Sequence, residues 1–293
     1  MEPSQLDIFA DNRDTMLRND VLRATEDRDS NRASAALESL RAEYPGDETI
    51  PALNVLANAL ARTDTTPLIS NDAAEWVMRV YVDEVDPAAR QVLPQAAAAR
   101  WMAPLWRSLA LRCTQLAYHA EHPNCHAAPF WLLAADPANA ESAVKGIESW
   151  RRIPVPLGWM IEARHTLRGL DAVWPLLCEL GWIAPARLDA LLPRLGDRVL
   201  NKLRSAFDAE FEGEGGSADL AWFAAWALVD DNRLAPILGE AQTARAERPE
   251  RTMRAILGVL HLERHGAHRE LIDARKVLRE LHAGLYAQYM KTR

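Results

Sequence analysis

The residues best suited to chemistry lie in one short stretch, His119-Ala120-Glu121-His122-Pro123-Asn124-Cys125-His126. His119, His122, Cys125 and His126 offer imidazole and thiolate donors within a few positions, and zinc accepts four ligands of these kinds. The order His-x-x-His-x-x-Cys-His matches none of the common zinc spacings. On a helix His119 and His122 stand near one turn apart, but Pro123 ends any helix there. The alternative is a solvated helix end with incidental histidines. Zinc is the one cofactor the sequence offers.

Other catalytic templates are missing from the sequence: there is no phosphate-cradling Gly-rich loop, no HExxH and no GxSxG. Glu210, Glu212 and Glu214 look like paired carboxylates, yet they lie against Gly213, Gly215 and Gly216. No burial is expected there to tune their pKa values, so a solvated acidic loop is the reading. No catalytic residue is assigned and the sequence reads as non-enzymatic. Among its ten tryptophans, Trp222 and Trp226 stand one helical turn apart. Such rings either fill gaps between helix layers or line an aromatic groove that grips a peptide or small ligand.

The elements that must position these groups are helices. The 293 residues are enough for a sizeable core, and 49% hydrophobic with 26% charged is an ordinary globular balance. A net charge of -7 argues against broad contact with phosphate backbones. The C-terminal segment from His261 onward is mildly basic, which a capping helix with a solvated face explains. The longest apolar run, Leu220 to Val229, is about half of a bilayer-spanning helix. The first residues lack the basic start and apolar stretch of a secretory leader. Cys113, Cys125 and Cys178 are odd in number and show no CxxC, which fits a reducing cytoplasm.

Strand signals are nearly absent, while helical stripes recur. Ala33, Ala36, Leu37, Leu40 and Tyr44 mark one buried face, stopped by Pro45-Gly46-Asp47. Leu271, Ala274, Leu278, Leu281 and Leu285 mark another. The pattern predicts helices at 14–28, 31–44, 50–62, 71–83, 88–120, 127–134, 137–150, 157–168, 171–180, 185–194, 196–211, 217–229, 232–246, 249–264 and 267–289. Short, proline-marked breaks argue for antiparallel helix pairs stacked as a solenoid or an irregular bundle. The expected organisation is an N-terminal segment, 1–12, followed by one helical domain, 13–293, with a flexible loop at 212–217.

A polar turn followed by an Ala- and Leu-striped helix recurs, as Asp29-Ser30-Asn31-Arg32-Ala33 and as Asp136-Pro137-Ala138-Asn139-Ala140. The first, with Leu37, Leu40 and the closing Tyr44-Pro45-Gly46-Asp47, resembles the second helix of a tetratricopeptide repeat. The helix before it lacks that family's Trp-Leu-Gly and Tyr signature, so the resemblance is partial. It implies helix pairs held by neighbour contacts, and a binding face for another protein.

Gln5-Leu6-Asp7-Ile8-Phe9 resembles the short peptide by which bacterial replication and repair proteins dock on the DNA polymerase sliding clamp. Ile8 stands where that motif usually has Leu. The resemblance implies that Gln5 takes a small polar subsite while Leu6, Ile8 and Phe9 fill an apolar pocket, flanking Asp7. The competing reading is structural. Ser4-x-x-Asp7 is a capping pattern, and Leu6 and Phe9 would then fold onto Leu17 and Val21. The functional expectation is therefore a cytoplasmic, TPR-like interaction scaffold. An accessory factor recruited to the clamp is the second reading, and a metalloenzyme using 119–126 the third.

Overall fold

The computed structural model describes residues 13–62, 64–266 and 268–292, and every regular element among them is helical. Cα packing divides the chain into two compact units, Met1–Asp136 and Pro137–Arg293.

In the first unit, α1 (Arg13–Glu26), α2 (Ser30–Glu43) and α3 (Ile50–Ala61) bury their apolar stripes in a shared core. The stripe read from the sequence is the buried one: Ala33, Leu37 and Leu40 are inside, with Ala36 and Tyr44 packed at the edge. Asp29 caps α2 by accepting the Arg32 N–H at 3.0 Å, which forces the chain to reverse after α1. α4 (Asn71–Val80) runs through a π-helical turn, Tyr81–Val85, directly into α5 (Asp86–Val92). α6 (Gln95–Arg112) and α7 (Ala127–Leu133) complete the unit.

The helix expected over 88–120 is thus broken twice. Leu93, which precedes a proline, is extended (ψ 147°), because the proline ring crowds a helical conformation at the residue before it. After Arg112 the chain leaves the helix, so 113–122 is irregular. Conversely, the expected stop at 83 is bridged, because the π turn absorbs one extra residue without breaking the backbone bonds.

In the second unit, α8 (Pro137–Lys145) packs on α9 (Pro154–Arg168), and α10 (Trp174–Ile183) lies at the centre. Trp174 to Trp182 of α10 are all buried, as expected of a helix that is apolar all round. Gly181 is required there: a Cβ would meet the Leu220 carbonyl oxygen at 2.9 Å. Its one charged residue, Glu179, accepts Arg151 Nε and Nη2, both at 2.6 Å, and the Gln242 N–H at 2.6 Å. α11 (Pro185–Leu195), α12 (Arg198–Glu210), α13 (Phe223–Asp230) and α14 (Ala235–Leu238) follow. α15 (Arg248–His265), α16 (His268–Leu281) and α17 (Ala283–Lys291) close the unit, with Leu271, Leu278, Leu285 and Tyr289 buried.

Two further expectations are corrected here. The helix foreseen over 232–246 is a short turn plus α14, because the buried Glu250 carboxylate captures the N–H groups of Ala244, Arg245 and Ala246. The helix foreseen over 267–289 divides at His282, whose Nδ1 accepts the Leu285 N–H at 3.1 Å and starts α17. The 212–217 loop carries a local hydrogen-bond pair. Asp219 accepts the N–H groups of Glu214 (3.2 Å) and Gly215 (2.8 Å). No helix among the described residues is long and apolar enough to cross a membrane.

Candidate functional site

The four donors singled out in 119–126 do not converge. His119 is exposed on the irregular segment after α6, its ring 6.1 Å from that of His122. His126 is buried and spends its Nδ1 on capping α7, accepting the Ala128 N–H at 3.2 Å. Burial pushes its pKa down to about 4, so it stands there as a neutral acceptor. His122 and Cys125 do come together, and the third group beside them is Glu75, from α4.

These three side chains each place a ligand-type atom within 4.8 Å of the other two. His122 Nδ1 is 3.4 Å from Glu75 Oε2, while Glu75 Oε1 is held by Arg79 Nη2 at 2.5 Å, one turn along α4. Cys125 is buried at the end of a 3₁₀ turn, Pro123–Cys125. Its N–H donates to the His122 carbonyl at 3.1 Å, and the His122 N–H to that of His119 at 3.2 Å. These bonds hold positions 122 and 125 on the same side of the turn. The Cys125 thiol is pushed up by burial, and further by the negative charges of Glu75 and Asp72. Nothing in the spacing of 119–126 pointed to Glu75, which the fold brings in from another helix.

A second feature of the same unit is an open groove of about 690 Å³ between α3 and the α4–π segment. Val55 and Ala59 form one wall; Trp76, Val77, Val80 and Tyr81 form the other. Trp76 is 62% exposed, the most solvent-accessible of the ten tryptophans. Tyr81 anchors the floor: it meets Trp106 edge-on at 5.3 Å, and Trp106 stacks on the buried Phe130 at 6.0 Å. Glu84 and Arg112 supply charge at the rim, and Arg112 is itself tied to Asp64 at 2.8 Å and to the Thr66 carbonyl at 2.9 Å. The π turn sets the orientation of Tyr81 relative to Trp76, and such turns recur at functional sites.

The predicted aromatic groove at Trp222 and Trp226 is resolved differently for each ring. Trp226 is 1% exposed, packed edge-on against Phe207 at 5.6 Å, and its indole N–H has no acceptor. It belongs to the core. Trp222 is half-buried and lines a cavity of about 540 Å³ with Phe211, Arg248 and His282. Its ring meets that of His282 at 4.6 Å. Trp222 and Trp226 fall in the most apolar run, where burial is the rule. Trp76 carried the opposite signal: it is two positions after Ala74, the buried residue of α4, and so lies across the helix from it. Glu210, Glu212 and Glu214 are exposed, as expected. Gln5, Leu6, Asp7, Ile8 and Phe9 lie outside the described residues.

No family model, curated protein or solved structure matches the chain.

Proposed function

We propose that this chain is a non-enzymatic, helical-repeat interaction scaffold whose N-terminal unit receives another protein in the groove beside Trp76. The observation that carries the reading is Trp76 itself. A 62% exposed tryptophan in an apolar cleft, next to buried aromatics that fix the cleft floor, is the arrangement of an interface anchor. The fitting partner segment carries an apolar side chain for the Val77–Val80–Tyr81 wall and a cation for Glu84. Recruitment to the sliding clamp through Gln5–Phe9 is a second reading, supported by its five-residue match.

Affinity purification of the tagged full-length protein separates the two. Trp76→Ala is expected to lose the captured partner while leaving the melting temperature nearly unchanged, since an exposed side chain away from special features contributes within about 0.5 kcal/mol. Removal of residues 1–10 is expected to leave capture intact. Capture that survives Trp76→Ala but is lost on removing 1–10, with direct binding of purified clamp, overturns the first reading in favour of the second.

A further inference from the structure

Glu75, His122 and Cys125 lie outside the groove and serve no part of the scaffold reading. We propose that they form a binding site for a divalent metal ion of the zinc class, with a fourth position left to water.

The donor set is one sulfur, one imidazole nitrogen and one carboxylate oxygen, a combination that favours zinc and its neighbours over magnesium or calcium. The geometry is close to assembled. Two zinc bonds of about 2.0–2.1 Å at a tetrahedral angle place their donor atoms about 3.3 Å apart. His122 Nδ1 and Glu75 Oε2 already stand at 3.4 Å. The widest separation in the trio is within 4.8 Å, so closing it onto an ion needs side-chain movements on the order of 1 Å. Both Glu75 and His122 are half-buried, and Cys125 is buried in its 3₁₀ turn.

The surroundings suit a cation. Arg79 holds Glu75 Oε1 and leaves Oε2 to face the histidine, the kind of outer partner that orients a ligating carboxylate. Asp72, one turn before Glu75, adds a second negative charge near the thiol. The backbone bonds through His119, His122 and Cys125 preset the turn, so the ion has little chain to order. On binding, the thiol proton leaves to solvent and the ion is held by the thiolate, the neutral imidazole and the carboxylate.

The test is a titration of metal-free, full-length protein with Co²⁺ as the spectroscopic probe. One equivalent is expected to give a thiolate-to-cobalt charge-transfer band and the visible bands of a tetrahedral site, both displaced by Zn²⁺. Cys125→Ser abolishes the charge-transfer band. Glu75→Gln and His122→Ala each weaken binding about tenfold or more. Glu75→Gln sits at a half-buried surface position and keeps the test valid if the cysteine variant fails to fold. Cys113→Ser and Cys178→Ser retain the band. The proposal is overturned if the wild-type protein shows no thiolate band, if the band survives Cys125→Ser, or if Glu75→Gln binds as tightly as wild type.

Discussion

Removing the carboxylate of Glu179 is the sharpest stability test the second unit offers. The side chain is 1% exposed in the centre of α10, and both of its oxygens are engaged by Arg151, with the Gln242 N–H as a third donor. Breaking a buried pair by deleting one partner costs about 3–5 kcal/mol, because the survivor is left buried and uncompensated. The two partners differ in how far water can relieve them. Arg151 is 23% exposed, so Glu179→Leu leaves a guanidinium that water partly reaches, and about 3 kcal/mol is expected. Arg151→Leu strands a carboxylate that water cannot reach, placing it nearer about 5 kcal/mol.

The double variant removes both charges, and only the Gln242 N–H loses its acceptor, a cost of about 1–3 kcal/mol. The sum of the singles therefore exceeds the double by several kcal/mol, a coupling well above the few tenths found between independent sites. The assay is guanidinium unfolding of the full-length protein, followed by tryptophan fluorescence and analysed as a double-mutant cycle. The midpoint moves while the slope stays constant. A double variant as unstable as the two singles combined would refute the reasoning, since the pair would then be incidental to α10's position.

Two other outcomes follow from the same packing. Trp226→Ala is expected to cost about 3–5 kcal/mol, as for large aromatics cut out of a core. Trp226→Phe should cost under about 1.5 kcal/mol, because it also removes an indole N–H that has no acceptor; equal losses in thermal melts would contradict the buried placement. For Glu141, burial raises the carboxyl but hydrogen bonds from Arg168, Lys145 and Arg164 outweigh it and hold the pKa at about 2. A depressed folded-state pKa stabilises above the unfolded value near 4.5 and loses that stabilisation as pH falls toward about 2. Melts between pH 5 and 2, taken on wild type and Glu141→Gln, should therefore converge on acidification, and parallel curves would remove Glu141 as a contributor.

What the sequence made legible was local. The α2 stripe and its stop at Pro45-Gly46 are encoded within a few residues, with Ala33, Leu37 and Leu40 of the stripe buried and Ala36 and Tyr44 packed at its edge. So is the all-helical class, since each stripe reports its own period. The misplaced boundaries have several causes: Pro94 keeps Leu93 extended, Glu250 reaches back to Ala244–Ala246, and His282 caps α17 and so divides one expected helix into two. The site was half legible. His122 and Cys125 share a turn and could be picked out by spacing, but Glu75 arrives through the packing of α4 on that turn. His119 and His126 were included because they are close in sequence, yet one faces solvent and the other is consumed by a helix cap.

The metal triad and the groove meet at adjacent residues, Glu75 and Trp76, and adjacency on a helix separates them. Successive side chains point about 100° apart, so α4 turns Glu75 toward the Pro123–Cys125 turn and Trp76 toward α3. Sharing an element does not by itself couple two sites. Coupling requires two states of that element that each ligand binds unequally. Ala74 is fully buried on the inner side of α4, and the Tyr81–Trp106–Phe130 stack packs against its continuation. A helix held in this way presents two independent faces. An ion at Glu75 should therefore change partner affinity at Trp76 little, and by thermodynamic reciprocity the partner should change ion affinity equally little.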